Sequence, residues 1–240
     1  MKHLFIGLDV HKKSWSVTIQ EGGAVLKRFS MEPHPTTLIA NVQRHYPDYE
    51  VECSYESCCL GYYIYRRLSK AGWKVLVVNP GDIPRINKQN SSKTDNIDSR
   101  YLCQQLAAGH LRGIYVPDEK QEQFRSLFRR RNDLVKNLRR IKCHIKGMLL
   151  YYGIPIPEHY DNISWSKAFL GWLSKVKWTY APAGETLKSR LHEYAFLHKE
   201  YLHICNELRA YARKHYKQDY YLLRSVPVWF HSLPLVCFRK

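Results

Sequence analysis

Lys93-Thr94-Asp95-Asn96-Ile97-Asp98-Ser99-Arg100 sets two carboxylates three residues apart. They open a segment whose apolar positions, Ile97, Tyr101, Leu102 and Leu106, read as a helix. Acids so spaced project from neighbouring turns on nearly one face and repel each other. A divalent cation offsets that repulsion, as does a solvated helix N-terminus whose dipole favours negative charge. Taken alone, the octapeptide reads more simply as a capping pattern, with Thr94 or Asp95 as N-cap and Asp98 three residues on. Two acids upstream shift the balance. Asp9 and Glu56 each fall at the end of a strand-like run, and one fold could gather all four.

Magnesium takes octahedral oxygen ligands, usually one or two carboxylates completed by substrate phosphate and water. Two such ions ~4 Å apart clamp the attacking and leaving oxygens of a phosphodiester displacement. Four converging carboxylates suit that work. Other centres are poorly supported. The chain has no Walker-type glycine loop, no G-x-S-x-G elbow and no H-E-x-x-H, and Gly7-x-Asp9 lacks the following Gly-Thr of actin-like ATPases. Its seven cysteines include no C-x-x-C pair, which argues against structural zinc. His192, His198 and His203 read as seam or surface residues of a helix, and Tyr151-Tyr152 as packing or phosphate-contacting residues at a helix end.

The elements that must position the acids follow from hydrophobic periodicity. Leu4 to Val10 is a nearly continuous apolar run, the mark of a strand buried on both faces, with Asp9 near its end. Ser14 to Gln20 alternates, Glu21-Gly22-Gly23 turns, and Ala24 to Phe29 makes a third strand of a meander. Helix is expected over Thr36 to His45 and Leu60 to Lys70, and strand over Tyr49 to Tyr55 and Lys74 to Val78. A right-handed crossover lays the fourth strand parallel to and beside the first, which brings Asp9 and Glu56 to neighbouring positions. The expected fold class is α/β, a ribonuclease-H-like mixed sheet with flanking helices, followed by an all-α coiled-coil domain.

A net charge of +17 points to a polyanionic partner, most simply nucleic acid. The charge is uneven: residues 1–112 carry 15 Lys+Arg against 10 Asp+Glu, and the remainder 23 against 11. Glu122 to Tyr151 reads as one long helix with a heptad seam, Leu134, Leu138, Ile141, Ile145 and Met148. Arg125, Arg129, Arg130, Arg131, Lys136, Arg139, Arg140, Lys142 and Lys146 surround that seam, more cations than solvation needs, and they are candidates for nucleic-acid contact with Lys12, Lys93 and Arg100 beside the acids. Gly153-Ile154-Pro155-Ile156-Pro157 breaks the helix. A stretch with Trp165, Trp172 and Trp178 shows no regular pattern, and helix resumes from about Glu185 to Tyr216. Two long helices joined by a broken hairpin suggest an antiparallel coiled coil or a stalk that joins copies of the chain. No apolar run approaches the ~18 residues that span a bilayer, and Met1-Lys2-His3 leads straight into a strand, so a reduced, cytoplasmic protein is expected.

Gly7-Leu8-Asp9-Val10-His11-Lys12, the Tyr55-Glu56 strand end with Gly61 after it, Val77-Val78-Asn79-Pro80 and Lys93-Thr94-Asp95-Asn96-Ile97-Asp98 resemble the DEDD transposases of bacterial insertion-sequence family one-hundred-ten, recombinases guided by a bridge RNA. The resemblance spans residues 3 to 227. It implies a RuvC-like domain over 1–112 whose Asp9, Glu56, Asp95 and Asp98 bind Mg2+ for DNA strand chemistry. It further implies a coiled-coil domain over 113–221 for subunit association and RNA contact, and then a domain bearing a serine nucleophile. Ser57-Cys58-Cys59-Leu60 is bulkier and richer in thiols than the small-residue turn of that family.

Leu222-Leu223-Arg224-Ser225-Val226-Pro227 resembles the entry to the serine-bearing domain, so 222–240 is expected to be its truncated start. The codons open to Val228 through Arg239 permit such a domain's opening in a frame shifted by one base, and the nucleotide sequence beyond codon 227 tests that expectation. The expected function is DNA transposition or recombination, incomplete without that domain. The alternatives are a stand-alone RuvC-like nuclease or junction resolvase, and a non-catalytic protein that binds guide RNA or DNA.

Overall fold

A computed structural model describes residues 2–83, 95–161 and 165–225, with the side chains of 95–97 left out. The first strand, β1 (Lys2–Val10), is followed by β2 (Trp15–Glu21), β3 (Ala24–Met31), α1 (Pro35–His45), β4 (Tyr49–Glu56), α2 (Tyr63–Lys70), β5 (Lys74–Val78) and α3 (Asp95–Ala107). The sheet order is β3-β2-β1-β4-β5. β1 pairs antiparallel with β2 and parallel with β4, and β4 pairs parallel with β5. The meander and the crossover that sets the fourth strand beside the first are thus as the sequence implies.

Because side chains alternate along a strand, this register divides the sheet into two unlike faces. One carries Leu4, Ile6 and Leu8 beside Val17 and Ile19, with Val51, Cys53 and Tyr55 on the other flank, and it packs on Leu38 and Val42 of α1 and Ile64 and Leu68 of α2. That face is the apolar core. On the opposite face Gly7 is aligned with Thr18 and with Ser54, all buried, and α3 lies over them. Burial on both faces explains why β1 reads as a continuous apolar run.

Residues just after 112 stay with the sheet. Ile114 N–H donates to the Val77 carbonyl at 2.7 Å and Gly113 bridges Val78, so the first compact unit runs to Val116 and the second begins at Pro117, later than residue 112.

The second unit holds α4 (Glu119–Tyr151), α5 (Lys167–Ser174), α6 (Ala181–His215) and α7 (Lys217–Ser225). Asp118 caps α4 by accepting the Gln121 N–H at 2.6 Å. α4 and α6 form an antiparallel hairpin. Phe124, early in α4, clusters with Leu208 and Ala212, late in α6, while Arg190 donates to the His144 carbonyl at 2.6 Å nearer the turn. All five heptad residues from Leu134 to Met148 are buried, and so are Leu187, Tyr194, Cys205 and Leu208 of α6. Gly153 ends α4 at φ 66°, with Gly153 N–H bonded to the Leu150 carbonyl and Ile154 N–H to that of Leu149. Two segments differ from expectation. α6 starts at Ala181, because Pro182 is tolerated in a first turn. The Trp-rich stretch contains a short helix, α5, capped by Ser166 and burying Phe169 and Leu173.

Candidate active site and nucleic-acid interface

β1 and β4 run parallel in register up to Leu8 beside Tyr55, so the next residues, Asp9 and Glu56, stand at the carboxyl ends of adjacent strands. Both are half-buried. By alternation they belong to the Gly7 and Ser54 face, the one α3 covers. His11 Nε2 lies 3.2 Å from Asp9 Oδ2. Just after Glu56, Ser57 N–H donates to the Val78 carbonyl at 2.8 Å, which fixes the exit of the strand. Burial pushes the Cys58 thiol up against the opposing pull of a hydrogen bond with the Leu60 backbone, and the neighbouring Cys59, Asp9 and Glu56 add to the rise.

α3 is set on this face by close backbone contact. A Cβ on Gly7 would collide with the Ser99 carbonyl oxygen and stand 2.5 Å from the Cys103 amide nitrogen. Ser99 Oγ lies 3.0 Å from Thr18 Oγ1, and the Cys103 thiol donates to the Phe5 carbonyl at 3.2 Å. Burial pushes that thiol up to about 12. Ser99 therefore sits at Gly7 while Cys103, one turn later, also reaches back to Phe5. The helix runs against β1, and its first turn lies toward the strand ends that carry Asp9 and Glu56. Asp98, half-buried, belongs to that turn, and Asp95 opens it. The Asp95 side chain and Lys93 lie outside the described residues. Among the described residues, no group of three His, Cys, Asp or Glu side chains is placed to hold a metal ion.

The basic candidates divide into two kinds. Lys12 and Arg100 are exposed near the acids, and Arg129, Arg130, Arg139 and Arg140 are exposed on α4. Others serve the fold as well. Arg131 lies over the Tyr201 ring at 5.8 Å, and Lys146 pairs with Asp161 at 2.8 Å. Lys142 lies over Trp165 at 5.4 Å and Tyr194 at 5.7 Å. Arg125 is half-buried, and its Nε has no hydrogen-bond partner among the described residues.

The profile of the transposase family named for IS110 and its DEDD acids matches residues 6–154, more than half of the chain. The chain belongs to the IS110 family of DEDD transposases. Among similar proteins is a putative transposase, y4qE, of Sinorhizobium fredii, 29% identical over 72% of this chain and 45% of its own length. The transposase for insertion sequence element IS1533 of Leptospira borgpetersenii is 24% identical over 80% of this chain and 55% of its own. That for IS1328 of Yersinia enterocolitica is 26% identical over 64% and 44%. The chain spans about half the length of these curated relatives.

The IS110 family match runs from β1 through all of α4, so it takes in Asp9, Glu56, Asp95, Asp98 and the arginine-rich helix together. The mixed sheet is consistent with the ribonuclease-H-like domain of such a transposase. Sequence reasoning missed the roles of Gly7, Thr18 and Ser99 in seating α3. A glycine interrupting a buried apolar strand was the available signal, since it marks the close approach of another backbone.

Proposed function

We propose that this chain carries the metal-dependent strand chemistry of an insertion-sequence transposase, with Asp9, Glu56, Asp95 and Asp98 as its acid cluster. The observation that carries this reading is the convergence of Asp9 and Glu56 at adjacent parallel strand ends on the face covered by α3. Carboxylate oxygens are the hard donors that Mg2+ prefers, so the residues fit the ion. When bound, Mg2+ would act as a Lewis acid on a scissile phosphodiester. The protein's own part is to hold Asp9 and Glu56 on a rigid sheet and Asp95 and Asp98 in the first turn of the helix packed over it. Lys12 and Arg100 neutralise the phosphates that flank the scissile one, and the arginines of α4 bind the backbone of DNA and of a structured guide RNA. The α4–α6 hairpin serves as a coiled coil that brings copies of the chain together, and the protein works in the cytoplasm on nucleoid DNA.

The test is Mg2+-dependent nicking or strand transfer on DNA carrying the element's ends, with cognate guide RNA. Asp9→Asn and Glu56→Gln should each lower the rate by about a hundredfold or more while leaving nucleic-acid affinity nearly unchanged. Equal rates in wild type and both variants would overturn the assignment.

A further inference from the structure

The second unit contains an open groove of about 830 Å3 between α4 and α6. Its walls combine aromatic rings with cations. Trp165 and Tyr194 have ring centroids 4.9 Å apart, and Tyr194 stacks on His198 at 5.7 Å and 15°. The Lys142 ammonium lies over the first two rings, and Arg139 and Lys146 complete a basic lining against one acid, Asp161. Asp161 is taken up by Lys146. Burial, then the neighbouring Lys146, pushes the Lys142 ammonium down, so the charge acting on it is another cation and an incoming anion would relieve both.

We propose that this groove receives an unpaired nucleotide of a nucleic-acid strand, its base against the half-buried Trp165 and the exposed His198, which the buried Tyr194 ring backs, and its phosphate on Lys142 and Arg139. Both halves of the ligand are called for. An acidic peptide would use the cations and leave the aromatic wall empty. A duplex keeps its bases stacked on one another and offers only phosphate, whereas an unpaired base has a free face, and every base has one. The proposal rests on the nucleic-acid reading above and narrows it to single-stranded or looped segments.

Fluorescence anisotropy with the whole chain tests it, using a labelled single-stranded oligonucleotide of about 20 nucleotides and the same sequence as a duplex. Trp165 packs on Phe169 as well as Tyr194, so its truncation risks the fold. His198 is exposed, and His198→Ala removes a ring without opening the core. His198→Ala and Lys142→Gln should each weaken single-strand binding about fivefold to tenfold and duplex binding far less. Photocrosslinking of a halogenated pyrimidine in the single strand should label the segment carrying Trp165 or the one carrying Tyr194. Equal losses on both ligands, no loss on either, crosslinks confined to other segments, or stronger competition by polyglutamate than by the oligonucleotide would each overturn the proposal while the acid-cluster assignment stands. A wild-type chain that binds neither ligand would overturn the nucleic-acid reading with it.

Discussion

Gly7 is the residue on which the geometry of the acid site turns. Any side chain there meets the backbone of α3 at Ser99 and Cys103, and backbone yields far less than a flexible side chain. Gly7→Ala should therefore lift α3 from the sheet and destabilise the protein by about 2–3 kcal/mol, the cost of overpacking a tight contact. Urea unfolding followed by circular dichroism measures it, and a shift near zero would mean that α3 is not seated on β1 at that point. The acids were easier to read than this seat. Asp9 and Glu56 stand out because a carboxylate at the end of an apolar run is costly without a partner, and strand order then aligns them. What sets Asp98 relative to them is contact among Gly7, Thr18 and Ser99, distant in sequence and unremarkable in type.

At the scale of elements, the hairpin of α4 and α6 was legible because seam residues recur over four turns of α4, where each is buried, and at similar spacing in α6, where Leu191 and Tyr201 are half-buried. α5 was not. With 8 residues it is too short to display a period, and its anchors, Phe169 and Leu173, are separated by one turn only. The seam is filled from within the chain, by α6 and by α5, so its burial follows from intramolecular packing alone. Ile145 is fully buried there, whereas Leu150, near the end of the same helix, is 81% exposed. Ile145→Ala should cost about 2–5 kcal/mol and Leu150→Ala almost nothing in a monomeric chain. Chemical denaturation of both variants checks the contrast. A large loss at Leu150 that grows with protein concentration would show a second chain covering it.

For the whole molecule the dominant quantity is its charge of +17. Carried mostly beyond residue 112, this excess makes association with any polyanion strongly dependent on salt, because each phosphate neutralised releases condensed counterions. Where the contacts lie can be read from the slope of log affinity against log salt, which changes by about one for each phosphate contact removed. Arg129 and Arg130 are exposed on α4, and Lys27 and Arg28 are exposed on the edge strand β3, so the two pairs carry equal charge in different units. Arg129→Gln with Arg130→Gln should flatten the slope for duplex DNA by about two, while Lys27→Gln with Arg28→Gln should leave it nearly unchanged. Equal flattening by both pairs would mean that net charge alone, and not the α4 surface, attracts the nucleic acid.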